Sequence, residues 1–495
     1  MGDNLNILFI NTDQQTWNVV SAYGNPHVHT PHIDRLQKNG ISFMNSYCAD
    51  PVCGPARTSW VSGLYTSENG VPFNGGRMHE DIPDLGQVLT RNGYHAIHCG
   101  KWHVEDRKMR DSFHNLYTGK RDIGACGGEY YDRVSTHAVI DFLDRYDQTT
   151  PFYLQVGLVN PHDICEYLHN HEHKTIPGPI EQGLLAVEDL PPLPANFEYD
   201  EREIILQKML HRDKVTSIHA PILNGIGDWT EDQWRFLTWN HHRFVEAADQ
   251  QIGLILNALE NSRFKNNTLI IFTADHGESS GCHRSFQKFS LYEESIRVPF
   301  IIADLNDQLN IPKNVLDTEH FVSGVDLVPT VLDYAGIEVP EGVQGLSLKP
   351  LIEMGCRNAM CEVNVGEKDE SKAAQVIAWR DFAYVESNFW GRAIITERFK
   401  YIMEYRPKEE EDFVPPGPDT NAVGLEQLFD LVEDPWEIKN LAGESDYGSV
   451  IEECRKKLFS FERRLHRRPL REGRLRDYTQ RLSGQLHERW AAYDG

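Results

Sequence analysis

The sequence predicts an α/β fold: a large, mixed, mostly parallel sheet sandwiched by helices, followed by a smaller α+β domain with an antiparallel sheet. Two observations carry this. Through about residue 370, short apolar runs alternate with amphipathic helical stretches, as strands joined by crossover helices do. Beyond that point strand-like segments follow one another directly and a helix closes the series, which marks an antiparallel unit. Residues 1–370 are therefore assigned to the larger domain and 371–495 to the smaller.

The elements follow in order. Leu5 to Ile10 is a nearly continuous apolar run, as in a strand buried on both faces, and it ends in the polar cluster Asn11-Thr12-Asp13-Gln14-Gln15. Thr30-Pro31 opens a helix that Gly40 closes. A Pro- and Gly-bearing turn at Cys53 leads into a helix from Thr58 to Leu64. Asp84 to Asn92 is helical and stops at Gly93, and the strand Tyr94 to His98 follows. Ser135 to Tyr146 reads as helix and Pro151 to Val159 as strand. A long helix spans Glu231 to Asn261, with Phe236, Phe244, Ala248, Ile252, Ile255 and Leu259 near helical spacing. The strands Thr268 to Thr273 and Val298 to Ile302 complete the larger domain. In the smaller, short strands lie at 393–395, 400–402 and 427–429, before a helix from Ser449 to Arg464. The stretch 163–228 has little periodicity and is too long for a plain connection, so it is expected to be a lid or binding wall.

Composition narrows the function. The 495 residues are 40% hydrophobic and 25% charged, an ordinary globular balance. With 49 basic and 74 acidic residues the net charge is −25, which argues against nucleic acid as the main partner. No apolar run reaches the ~18 residues of a membrane span. The start, Met1-Gly2-Asp3-Asn4, has no basic, apolar leader; the compartment is left open, with a cytoplasmic address expected as written and a periplasmic or secreted one if a signal peptide was removed. The nine cysteines are odd in number and lack C-x-x-C pairs, which argues against a disulfide framework. The sequence leaves oligomeric state open.

Ligands of parallel α/β sheets bind outside the carboxyl ends of the strands. Polar residues at four predicted strand ends fit that rule: Asp13 and Gln14, Lys101 and His103, His162, and Asp275 and His276. Asp13, Gln14, Asp275 and His276 offer mostly hard oxygen donors, a set suited to calcium or magnesium rather than zinc. Lys101 and Lys288 bring positive charge for an anionic substrate. Cys53-Gly54-Pro55-Ala56-Arg57 opens a helix whose first N–H groups would face an anion, with Arg57 placed to orient residue 53.

These residues resemble the formylglycine-dependent sulfatases of the alkaline phosphatase superfamily, in particular bacterial carbohydrate sulfatases, over nearly the whole chain. Asn6 to Gln14 is similar to that family's first metal-binding segment. Cys53-Gly54-Pro55-Ala56-Arg57 with Ser62-Gly63 matches its C-x-P-x-R signature. Gly100-Lys101-Trp102-His103, Thr273 to Gly277, and Lys288 with Leu291 to Pro299 match three further blocks. Leu428 to Leu431, Asp434 to Glu437 and Asn440-Leu441 match the carboxyl-terminal domain. Three positions depart from the common pattern: Gln14 stands for a frequent aspartate, Ala56 for serine and Ser62 for threonine.

The resemblance implies an alkaline phosphatase/sulfatase-like fold and a sulfuric ester hydrolase acting on a sulfated carbohydrate, such as a glycosaminoglycan or other polysaccharide fragment. It implies that a maturation enzyme converts Cys53 to Cα-formylglycine, and that Ca2+ (or Mg2+ or Mn2+) is held by Asp13, Gln14, Asp275, His276 and residue 53. Arg57 and Lys101 would then stabilise the modified residue, His162 and Lys288 would grip sulfate and assist the leaving alcohol, and His103 would reset residue 53. Two other readings compete. One is a phosphonate monoester or phosphodiester hydrolase with the same nucleophile, and the other a non-catalytic protein that binds sulfated glycans. A two-metal phosphatase is disfavoured, because its second ligand set cannot be assigned.

Three further features are expected to be ordinary. His169, His171 and His173 lie in a solvated loop; the arginine run at 463, 464, 467, 468, 471, 474 and 476 pairs with acidic surface or simply faces solvent; and Trp229, Trp234, Phe236 and Trp239 are helix packing.

Overall fold

The computed structural model describes residues 5–104, 107–118, 127–165, 183, 185–198, 229–355, 379–387, 391–405 and 423–468. The boundary drawn at 370, the three histidines at 169–173, most of the 163–228 stretch and the arginines at 471, 474 and 476 lie outside these residues.

Eight strands form the main sheet: β1 Asn6–Asp13, β2 Gly40–Tyr47, β3 His95–Gly100, β4 His114–Tyr117, β5 Phe152–Pro161, β6 Thr268–Ala274, β7 Phe300–Ala303 and β8 Val315–Ser323. Their spatial order is β4-β3-β5-β1-β6-β7-β2-β8. Strand β7 runs antiparallel to both β6 and β2, and the other pairs are parallel. The sheet is thus large, mixed and mostly parallel.

Strand β1 lies inside the sheet between β5 and β6, with Ile7 opposite Tyr153 and Leu269. Side chains alternate across a strand, so a strand covered on both faces must be apolar throughout. Ile7 and Phe9 point into one core with Phe43, Trp60, Leu89 and Val331. Leu8 and Ile10 point into the other with Ile33, Val139, Ile252 and Ile255. Helices α2 Cys53–Ser62, α3 Leu85–Arg91 and α6 Leu327–Tyr334 supply the first core. Helices α1 Pro31–Lys38, α4 Gly128–Arg145 and α5 Glu231–Asn261 supply the second.

The small sheet comprises β9 Ala383–Ser387, β10 Gly391–Ile395, β11 Phe399–Tyr405 and β12 Val423–Asp430, in the order β12-β11-β10-β9 and antiparallel throughout. Helix α7 Gly448–Glu462 covers it through Ile451, Cys454 and Leu458, in a core shared with Tyr65 and Val325 of the main body. Thr66 Oγ1 and Ser67 N donate to Glu386 Oε1 across the same seam, at 2.8 and 2.7 Å.

Several elements depart from the sequence expectation. Strands β2, β4, β8 and β9 and helix α6 were not predicted. Strand β8 carries Asp317, Glu319 and His320 because it is an edge strand with one end in solvent, and so lacks the apolar signature. Helices α2 and α4 start earlier than predicted, at Cys53 and Gly128, and in both a side chain far along the chain caps the first turn. Asn74 Oδ1 accepts from Gly54 N at 2.9 Å, and Asp163 accepts from Gly127 N and Glu129 N at 2.8 and 3.2 Å.

Candidate active site

The carboxyl ends of β1, β3, β5 and β6 open onto one place, and the first turn of α2 faces them. Asp13 is the last residue of β1 and Gln14 turns out of it with φ +70°, a left-handed conformation uncommon outside glycine. Gly100 ends β3 with φ +92°, and a Cβ there would stand 2.1 Å from the Gly157 carbonyl, so only glycine lets the chain turn toward Lys101 and His103. His162 follows β5, and Asp275 and His276 follow β6.

Cys53, Asp13, Asp275 and His276 are all buried, and each offers a ligand atom within 4.8 Å of the others. Cys53 Sγ lies 3.1 Å from His276 Nε2, 3.7 Å from Asp13 Oδ1 and 2.8 Å from Lys288 Nζ. Lys288 Nζ also donates to Gln14 Oε1 at 2.9 Å, which brings the fifth expected ligand to the cage. Lys101 Nζ is 2.7 Å from Asp13 Oδ2, and His162 Nε2 is 4.0 Å from Asp13 Oδ1. His103 sits beside the start of α2, its carbonyl 3.5 Å from where a Cβ on Gly54 would stand.

Arg57 contacts the carboxylates. Nε donates to Asp275 Oδ2 at 2.8 Å, Nη2 to Asp13 Oδ2 at 2.9 Å, and Nη1 to Asn11 Oδ1 and the Lys101 carbonyl at 3.1 Å each. The guanidinium fork thus fixes both carboxylates at once, the task for which its planar donors suit it better than an ammonium.

The electrostatics follow from burial and this crowd of cations. Burial pushes the Asp13 carboxyl up, but Lys101, His162, Arg57 and Lys288 together hold it well below the carboxylate range. Burial and the nearby Asp13 charge raise the Cys53 thiol, while Lys288, His276 and Lys101 outweigh them and bring it well below the ordinary thiol value. His162 is lowered to about 4, by burial first and then by Lys101 and Lys288, so it is neutral near pH 7. Three buried cations, Arg57, Lys101 and Lys288, thus surround Asp13, Asp275 and the Cys53 thiol, and the neutral His162 imidazole still offers an N–H.

All ten residues singled out from the sequence therefore lie in this region. Four others contribute that were not. Asn74 caps α2, His241 Nε2 contacts the Gln14 carbonyl at 2.9 Å, Glu278 binds the Gln14 amide, and Cys165 Sγ lies 3.5 Å from Gln14 Nε2. Glu278 directly follows Asp275-His276-Gly277, so its position was a signal. Asn74 and His241 carry none. The tryptophans behave as expected: Trp234 is buried, with its ring 5.2 Å from that of Trp229. Arg467 and Arg468 pair with Glu462 and Asp81.

Residues 5–337 match the Sulfatase family. The chain belongs to that family, whose members hydrolyse sulfuric esters. In this sulfatase residues 281–464 also match the family described as N-sulphoglucosamine sulphohydrolase, C-terminal. A Delta 4,5-hexuronate-2-O-sulfatase of Bacteroides thetaiotaomicron is 27% identical over 473 residues, covering 91% of this chain and 87% of its own. An N-acetylglucosamine-6-O-sulfatase of the same organism is 25% identical over 521 residues, covering 90% and 84%. The crystal structure of a putative sulfatase from that bacterium superposes with a TM-score of 0.72 at 26% identity, covering 93% of each chain.

Proposed function

We propose that this sulfatase removes sulfate from a sulfated carbohydrate, using Cys53 in its formylglycine form and a Ca2+ ion. The observation that carries the mechanism is the cage itself: residue 53 is buried with Asp13, Asp275 and His276 and lies 2.8 Å from the Lys288 ammonium. The sugar substrate is supported by the sugar-specific names of the two relatives.

The residues fit the cation. Asp13, Asp275, His276 and Gln14 offer mostly oxygens, and among the described residues no multiple-thiolate set competes with them. The cation would hold sulfate oxygens and raise the acidity of a hydroxyl on residue 53, and the formyl group would supply an oxygen nucleophile where a thiol supplies none. The protein's own side chains do the rest. Arg57 holds the two carboxylates in place. Lys101 and Lys288 add charge for the sulfate, and His162, being neutral, grips it by a hydrogen bond rather than by charge. His103 is assigned the base that resets residue 53.

Release of inorganic sulfate from a panel of defined sulfated oligosaccharides tests the substrate, with matched aryl sulfate and phosphodiester esters beside it. Far faster turnover of the phosphodiester overturns the sulfatase assignment of this site. Mass spectrometry of a peptide spanning residues 50–60 tests the nucleophile. An unmodified Cys53 from a host with the maturation enzyme, in protein that binds but does not cleave sulfated glycans, favours a binding protein instead.

A further inference from the structure

Gln14 brings an amide to the cage, and an amide has two ends of nearly equal shape. Its oxygen suits a hard cation, whereas its NH2 turned inward would oppose one. The contact that decides between them is Glu278. Glu278 Oε2 accepts from Gln14 Nε2 at 2.5 Å, and Oε1 accepts from the backbone N–H of Ser280 at 3.1 Å and of Gln287 at 2.6 Å. All three partners are donors, which suits a carboxylate that has only lone pairs to offer.

Both sides of this contact are held. Glu278 is 1% exposed, and its backbone N–H and carbonyl each pair with Thr16 Oγ1 at 2.8 Å. Gln14 N donates to Asp275 Oδ1 at 3.0 Å, and the Gln14 carbonyl meets His241 Nε2. With both backbones fixed and the amide seated between Lys288 and Glu278, what remains to be set is its flip. The orientation seen turns Oε1 to Lys288 Nζ, the same ammonium that contacts Cys53 Sγ. The reverse would set NH2 against an ammonium and oxygen against a carboxylate.

We propose that Glu278 is a positioning residue: by accepting from the Gln14 NH2 it fixes the Gln14 oxygen toward the cation. The inference rests on the cation site proposed above. It is tested by calorimetric titration of Ca2+ into the chelator-stripped full-length protein, its E278Q variant and the Q14E/E278Q double variant, with melting temperatures in Ca2+ and in chelator. In E278Q the new amide keeps its oxygen on the Ser280 and Gln287 N–H groups, so its NH2 confronts that of Gln14. Ca2+ affinity is expected to fall about 10–100-fold. In the double variant that NH2 instead donates to the carboxylate introduced at 14, and affinity returns to the parental value or above.

A folded E278Q that binds Ca2+ as tightly as the parent overturns the inference and leaves the cation site standing. So does a weakened E278Q with no recovery in the double variant, which would mark Glu278 as merely structural. Should E278Q fail to fold, recovery of folding and Ca2+ binding in the double variant decides alone. A parent protein that binds none of Ca2+, Mg2+ and Mn2+ overturns the cation site and this inference together.

Discussion

Of the buried ionic clusters among the described residues, two make an instructive contrast, because one surrounds a nucleophile and the other does not. In the first, Arg57, Lys101 and Lys288 meet Asp13, Asp275 and the Cys53 thiol. In the second, Lys400 sits between Glu293 and Glu437, at 3.2 and 2.8 Å, where the two sheets join. Both are shut off from solvent. The Lys400 cluster holds no nucleophile, and its contacts are mutual: Glu437 accepts from Glu293 N at 2.7 Å, and Arg297 lies 3.3 Å from Glu293. It pins the small sheet to the large one. The Arg57 cluster stands at four strand ends and gathers metal-type ligands around a thiol. Burial of charge alone therefore does not mark a site. Unspent ligand capacity around a nucleophile at the carboxyl edge of the sheet does.

Substitutions can break this contrast, beginning with the most severe. Cys53→Ala is expected to lower sulfate release by about 10^3-fold or more, as loss of a nucleophile does, with little change in melting temperature. An active Cys53→Ala protein would move the chemistry elsewhere. In the other cluster, Lys400→Met leaves two glutamates facing each other in the seam. It should cost about 3–5 kcal/mol of stability in denaturant titration, as breaking a buried pair does, with turnover per folded molecule unchanged. Lys101→Met should do the reverse, losing about 10^2-fold in turnover with a smaller effect on stability, because Asp13 keeps Arg57 as a partner.

The mildest effect concerns pH. Asp132 accepts from the N–H groups of Val159 and Asn160 at the end of β5, and so shapes the turn that leads to His162. Burial raises its carboxyl from 3.8 to about 7. A folded state that holds a proton more tightly gains stability below the unfolded value and loses it as pH rises through the folded one. This part of the stability should decline from about pH 3.8 to about pH 7, and Asp132→Asn should flatten that slope in a melting series. An equally steep slope in the variant would assign the decline to other groups.

Much of the main body was legible because its pattern is local. The apolar run of β1 and the spacing of α5, Glu231–Asn261, announce themselves, and α5 starts where predicted because Thr230 and Gln233 cap it from within the same turn. Helices α2 and α4 were drawn too short because Asn74 and Asp163 cap them from elsewhere in the chain. The candidate site divides in the same way. Its ligands and lysines follow strand ends or motifs, so they could be named in advance. Arg57 could be named, but not that it would bind Asp13 and Asp275, since that depends on how three segments meet.

The sequence by itself determined which residues have the chemistry, for donor type, charge and strand-end position are properties of short segments. Only the tertiary structure decided how those groups constrain one another: which carboxylates Arg57 joins, which way the Gln14 amide faces, and which cluster is structural. The physical reason is range. Propensity and periodicity act over a few neighbouring residues, whereas hydrogen bonds and charge pairs between buried groups act across whatever distance along the chain the fold has closed.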